Sequence, residues 1–122
     1  MDNNKGKLNW LFCDGDLPPK DGSEFEAHEA LMVVNLQDTE AKIELQILFE
    51  DRDPIEEIIV TVPSKRVKCF RLDKPLGDKQ FTIPQGQYAL LLTSSIPVFA
   101  VFGRLDTRQT NLAYYSVQGH SF

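Results

Sequence analysis

The sequence predicts an all-β protein, a single-domain antiparallel β-sandwich of about seven to eight strands. Turn-forming residues separate short apolar runs about every ten residues along the chain. Residues 41–49 alternate apolar and polar side chains, which is the period of a half-buried strand. No stretch has the spacing of a long amphipathic helix. Residues 8–117 are therefore assigned to the sandwich, 1–7 to a disordered N-terminal tail and 118–122 to a C-terminal tail.

Proline, glycine and short polar clusters mark where each strand ends. Asp14-Gly15, followed by two prolines, ends the first strand, and the polar turn 37–40 joins the second and third strands into a hairpin. Pro63 ends the fourth strand, and the cluster 94–97 (Ser-Ser-Ile-Pro) separates two apolar strands near the C-terminus. The predicted strands are residues 8–13, 29–36, 41–49, 55–62, 66–72, 88–93, 98–105 and 112–117.

The run 98–102 (Val-Phe-Ala-Val-Phe) is apolar on both faces of its predicted strand. One face can pack in the core of the sandwich, but the other face then needs cover. A second copy of the chain is the simplest cover, because most soluble oligomers are built from identical subunits. We therefore expect a homo-oligomer.

The charge balance argues against nucleic acid as a partner. The net charge is −5, whereas nonspecific binding to phosphate needs clustered lysine and arginine. The basic run 65–68 (Lys-Arg-Val-Lys) is the local exception, and we interpret it as a solvated strand edge with protective charges.

Two further expectations concern the cysteines and the location of the protein. Cys13 and Cys69 lie in apolar stretches, so they are predicted to be small buried hydrophobic residues rather than a disulfide or a metal pair. No apolar run approaches the roughly 20 residues that span a bilayer, and the N-terminus lacks the apolar core of a signal peptide. The protein is therefore expected to be cytoplasmic.

The segment 104–109 (Arg-Leu-Asp-Thr-Arg-Gln) is the main candidate for a functional site. Alternation along a strand would place Arg104, Asp106 and Arg108 on one face. Two guanidinium groups beside a carboxylate either form a structural ion-pair network or line a pocket for a polar ligand. The residues alone favour the network slightly.

Other polar or aromatic residues also have two interpretations. His28 could bind a ligand or act as a general base, but Glu29 should point to the opposite face of the strand, so the alternative is a histidine that ties a loop to the sheet. Trp10 could stack on a sugar, although core packing is favoured. Asn35 and Gln109 could supply amide groups, and Arg66 a third guanidinium. There is no nucleophile elbow, phosphate loop or metal-ligand spacing, so neither an enzyme nor a cofactor is predicted.

Six short pieces of sequence occur in an order that resembles the sensory rhodopsin transducer family, small prokaryotic cytoplasmic β-sandwich proteins. The pieces are Trp10 with Asp14-Gly15 and Leu17-Pro18-Pro19; His28-Glu29 with Asn35; Asp53-Pro54; Val62-Pro63-Ser64-Lys65-Arg66; Ser94-Ser95-Ile96-Pro97-Val98; and Arg104-Leu105-Asp106-Thr107-Arg108-Gln109.

The resemblance implies a non-catalytic homotetrameric binding module for a small polar molecule, a sugar or a related metabolite. It favours a pocket over the ion-pair network. The alternative it implies is a signalling protein that serves as soluble transducer for a membrane sensory rhodopsin, with the arginines structural. The implied ligand-binding residues are Trp10, His28, Glu29, Asn35, Arg66, Arg104, Asp106, Arg108 and Gln109.

Overall fold

A computed structural model describes residues 5–18, 28–106 and 113–122 of the chain. These residues form eight strands, and every strand pairing among them is antiparallel. The predicted all-β sandwich is confirmed. The strands are β1 Lys7–Leu17, β2 His28–Asn35, β3 Ala41–Leu48, β4 Ile55–Val62, β5 Arg66–Arg71, β6 Gly86–Asp106, β7 Ala113–Val117 and β8 Gly119–Ser121.

The strands form two layers that share β6. The first layer has the order β4-β3-β6-β1-β8, and the second has the order β5-β2-β6-β7. Residues of β6 up to Val98 pair with β3 and β1, whereas residues from Phe99 onward pair with β2 and β7. One strand that changes layers thus closes a corner of the sandwich.

The prediction of two separate strands at 88–93 and 98–105 is wrong, because β6 is continuous over 21 residues. In the pairing with β1, Thr93 faces Asn9 and Val98 faces Lys7, so four residues of β6 oppose one residue of β1. The segment 94–97 is therefore a large bulge rather than a chain reversal. Pro97 is tolerated there because the strand is exchanging partners and needs no ladder hydrogen bond at that point.

β1 also extends further than the sequence indicates. Asp14-Gly15 does not end it, since one extra residue of β1 is accommodated between Phe12 and Gly15 and pairing continues to Leu17. Turn-forming residues again produce a bulge inside a strand. At the other terminus, part of the predicted C-terminal tail forms β8, which pairs with β1.

The core lies between the two layers. The rings of Phe12 from the first layer and Phe102 from the second are 5.5 Å apart, and both are buried. β3 follows its predicted alternation, with four buried residues from Ala41 to Ile47 separated by exposed or half-buried polar ones. Cys13 and Cys69, by contrast, are exposed, so the prediction of buried cysteines is wrong. Cys69 pairs with Met32 on the outward side of the second layer.

That outward side is apolar, as predicted for the run 98–102. Phe99 and Val101 are 41% and 46% exposed, whereas Val98 and Phe102 are buried. The neighbouring Val67 on β5 is 63% exposed. We call Val67, Phe99 and Val101 the outer patch. The described residues contain no helix long and apolar enough to cross a membrane.

Candidate functional site

One end of the sandwich holds a buried ion pair between β2 and β6. Glu29 and Arg104 are direct partners in the pairing of these strands. The guanidinium of Arg104 places Nε and one terminal nitrogen each 2.7 Å from Oε2 of Glu29. The side chain of Glu29 is fully buried, and that of Arg104 is 16% exposed. Short contacts in such burial make this a strong charge-assisted interaction.

Two groups of the first layer complete the surroundings of the Glu29 carboxylate. The hydroxyl of Tyr88 donates to Oε1 at 2.8 Å, and the backbone N–H of Asp16 donates at 3.0 Å. Burial, followed by the charge of Glu29 and this hydrogen bond, raises the pKa of Tyr88, so the phenol remains a donor. Gly15 permits the close approach of β1 to the Tyr88 ring, because a Cβ atom at this position would lie 2.6 Å from that ring.

Arg104 also contacts Asp14. Its terminal nitrogen donates to the backbone carbonyl of Asp14, and the Asp14 carboxylate lies 3.8 Å away but is largely exposed. Nε and one terminal nitrogen of the guanidinium are thus held by internal acceptors. This arrangement joins the two layers, but its partners are not those of the predicted network, since the side chain of Asp106 and the whole of Arg108 fall outside the described residues.

A second ion pair, which the sequence analysis missed, lies at the same end. Arg71 donates to both carboxylate oxygens of Asp73 at 2.7 Å. Burial alone would raise the pKa of Asp73. The hydrogen bonds and the charge of Arg71, together with the nearby His28, outweigh burial and lower that pKa overall. Strand alternation could not have found this pair, because β5 ends at Arg71 and Asp73 lies in the turn that follows.

A cavity of about 240 Å³ adjoins this pair. Asp73 forms part of its wall, and its other residues come from the end of β1 and the segment before β6. They are Leu17, Pro18, Thr82, Ile83, Pro84 and Gln85. Its polar groups are thus a carboxylate, a hydroxyl and an amide, a set suited to a small hydroxylated molecule.

Asn35 and Arg66 lie at the opposite end of β2 from Glu29. The two ends of this eight-residue strand are about 23 Å apart at the usual rise per residue. Asn35 is buried, and its amide bonds the carbonyls of Thr39, Val62 and Pro63 while its oxygen accepts from the N–H of Gln37. Arg66 is exposed, and its guanidinium donates to the carbonyl of Lys65. Asn35 anchors loops, and Arg66 does not approach Arg104.

Trp10 belongs to neither end. Its indole N–H donates to the carbonyl of Val98 at 3.1 Å, and its ring stacks on Phe12 with the ring centroids 6.4 Å apart. This is the core packing that the sequence analysis favoured.

The structure thus brings Glu29 and Arg104 into contact, with His28 adjacent to Glu29 in β2 and near Asp73. Trp10, Asn35 and Arg66 lie elsewhere. The side chain of Asp106 and the whole of Arg108 and Gln109 fall outside the described residues. In the part of the chain that is described, no three His, Cys, Asp or Glu side chains are grouped closely enough to hold a metal ion.

Comparison with known proteins agrees with this architecture. The crystal structure of Thermotoga maritima 1070 is 28% identical, covers 96% of each chain and has a TM-score of 0.82. The Anabaena sensory rhodopsin transducer is 30% identical, with a TM-score of 0.74 over 87% of this chain and 94% of that one. No curated protein sequence matches. The family model described as Anabaena sensory rhodopsin transducer matches residues 5–121. The chain therefore belongs to the Anabaena sensory rhodopsin transducer family.

Proposed function

We propose that this protein is a non-catalytic, cytoplasmic signalling module that acts as the soluble transducer of a membrane photoreceptor. The observation that carries the proposal is the closure of Arg104 by Glu29 and the Asp14 carbonyl, which gives the arginine a structural role. Nε and one terminal nitrogen of its guanidinium are engaged by these groups. Family membership supports the signalling role.

Binding to a photoreceptor in a bilayer tests this proposal. Nanodiscs that contain a microbial sensory rhodopsin and empty nanodiscs of the same lipids would be titrated with the protein. We expect saturable binding to the loaded discs alone, and a change in the rate of the rhodopsin photocycle. Equal binding to both kinds of disc, or none to either, would contradict the transducer role.

The proposed module is a homotetramer whose subunits meet through the outer patch. Val67 on β5 and Phe99 and Val101 on β6 are large apolar side chains exposed on the outward face of the second layer, on either side of β2. Exposed apolar surface of this kind marks an interaction site, and an identical subunit would cover it by symmetry.

Light scattering after gel filtration tests the assembly. Val101→Asp should lower the mass to that of a smaller species, because it would bury a charge in the interface. Leu8→Asp is the matched control, since Leu8 on β1 is 44% exposed and lies outside the patch. A Val101→Asp variant that remains folded and keeps the wild-type mass would exclude this face as the interface.

A second candidate function is binding of a small polar molecule such as a sugar. The cavity beside Asp73 favours it, because a carboxylate, Thr82 and Gln85 could hydrogen-bond hydroxyl groups there. A thermal-shift screen of sugars, sugar acids and related metabolites is the test, with Gln85→Ala as the variant. Stabilisation that Gln85→Ala abolishes would support this function. A screen in which no compound raises the melting temperature would oppose it.

A further inference from the structure

At one side of the sandwich, the outermost strand of the first layer, β4, lies beside the outermost strand of the second layer, β5. Among the described residues β4 pairs only with β3, and β5 pairs only with β2. A cleft of about 630 Å³ separates β4 from β5 and is bounded at one end by the segment 74–80. Such an edge presents unpaired N–H and C=O groups that can template another strand.

Among the described residues, the edge of β4 is partly covered and that of β5 is not. The carboxylate of Asp78 accepts from the N–H of Ile59 at 2.8 Å, and its own N–H donates to the Ile59 carbonyl at 3.0 Å. The segment before β6 therefore occupies part of the β4 edge. No backbone hydrogen bond of this kind reaches β5 from the described residues. β5 is the open edge of the pair.

The cleft has the size of a short strand segment. Strands in a sheet are about 4.8 Å apart, layers are about 10 Å apart and each residue rises about 3.3 Å, so one residue fills about 160 Å³. A cleft of about 630 Å³ thus accommodates about four extended residues. β5 itself has six residues, so an added strand could pair along most of its length.

The charged residues that line the cleft indicate which kind of strand could be added to β5. Lys68 lies opposite the buried Val33, so its side chain points inward, into the cleft rather than onto the outer face. Lys74 also lines the cleft, and neither lysine makes an ion pair within the described residues. The other charged groups in the wall, Arg71 and Asp78, are held by Asp73 and by the Ile59 backbone. With Arg71 paired with Asp73, the two lysines outnumber the Asp78 carboxylate, so the net charge of the cleft wall is positive.

We propose that an extended acidic peptide segment of a partner protein adds to β5 as a further strand of the second layer. Carboxylates on alternate residues of that segment would face Lys68 and Lys74, and the residues between them would point to the outward side. Main-chain hydrogen bonds to β5 would supply affinity, and the lysines would supply selectivity.

Charge disfavours two ways of adding a second copy of this chain to the same edge. Antiparallel pairing of two β5 strands about an axis between Lys68 and Cys69 would place Arg66 opposite Arg71. An axis through Lys68 would place two lysines opposite each other. Like charges directly opposite are destabilising, whereas an acidic strand would meet these basic residues with the opposite charge.

Fluorescence anisotropy with a labelled octapeptide of alternating glutamate and valine tests the proposal. We expect saturable binding that weakens about tenfold in Lys68→Glu, because the variant replaces attraction by repulsion. Lys7→Glu is the matched control, since Lys7 is an exposed lysine on β1, a strand that does not line the cleft, and it should change affinity by less than about twofold. A lysine–valine octapeptide should not bind.

N-methylation separates strand addition from simple charge attraction. Only every second amide of an added strand faces β5, so methylation of one alternate set should abolish binding while methylation of the other should not. Equal binding of both methylated peptides, or no binding of the parent peptide to wild type, would overturn the proposal. So would a peptide that dissociates the oligomer, because the edge would then be a subunit interface.

Discussion

Removal of the Arg104 guanidinium should destabilise the fold by about 3 kcal/mol. Two of the four donors to the fully buried Glu29 carboxylate belong to Arg104, and Arg104→Ala leaves the charge with Tyr88 and Asp16 alone. Breaking a buried ion pair by deleting one partner costs about 3–5 kcal/mol. We expect the lower end of that range, because two donors remain and water can enter where the partly exposed Arg104 stood.

Urea denaturation at one fixed protein concentration measures the loss. With a slope of about 2 kcal/mol per molar urea, the midpoint should fall by about 1.5 M. Arg52→Ala is the matched control: Arg52 also contacts a carboxylate, that of Asp51, but both side chains are exposed, and even with the loss of its stacking on Phe49 the midpoint should move by less than about 0.5 M. Arg104→Lys should be intermediate, because a lysine keeps the charge but not the two-pronged contact. An Arg104→Ala midpoint equal to that of Arg52→Ala would refute a structural role for the pair.

Three other changes probe the same framework. Asn35→Ala should lower the free energy of unfolding by about 3 kcal/mol in urea, because four buried backbone groups lose their partner; wild-type stability would contradict this. Gly15→Ala should cost about 1–3 kcal/mol in the same assay, because its Cβ would collide with the Tyr88 ring, and a neutral result would mean that the ring can move. Because the pKa of Asp73 is lowered in the folded state, its ionised carboxylate stabilises the fold at pH values above the ordinary aspartate pKa of about 3.9. This contribution is lost as the pH falls through the folded-state pKa. Stability measured against pH should therefore fall more steeply below about pH 4 in wild type than in Arg71→Ala, and parallel curves would argue against the ion pair.

Local patterns predicted the strands well where the decisive contacts were local. The alternation between Ala41 and Ile47 correctly predicts β3, and the short polar turn correctly separates it from β2. The predicted hairpin of these two strands is wrong, because β2 pairs with β5 and β6 in the second layer whereas β3 pairs with β4 and β6 in the first. The segment 94–97 misled the prediction because Ser-Ser-Ile-Pro is a turn signal on its own. Whether it reverses the chain or forms a bulge depends on β1 and β2, which lie far away in sequence.

The candidate site was predicted residue by residue but not as an arrangement. Alternation and charge singled out Glu29, Asn35 and Arg104. The contact of Glu29 with Arg104 depends on the register between two strands that are 75 residues apart in sequence, which no local pattern encodes. Asn35 lies at the opposite end of β2 from the contact between Glu29 and Arg104, and no local pattern encodes that separation either. The exposure of Cys69 likewise depends on its place in the outermost strand of the second layer.

The buried polar residues that resembled a ligand pocket fit a different physical role, which is to fix register. A slip of one residue in β2 would turn its core face to solvent, and Glu29 and Asn35 oppose it at both ends of the strand. At one end the Glu29 carboxylate accepts from β1 and from both halves of β6. At the other, Asn35 holds the carbonyls that follow β4. Because a one-residue shift would turn Glu29 and Asn35 outward and leave buried partners such as the Tyr88 hydroxyl and the Val62 carbonyl unpaired, each costing about 1–3 kcal/mol, the polar ends specify the alignment that the apolar middle alone would leave loose.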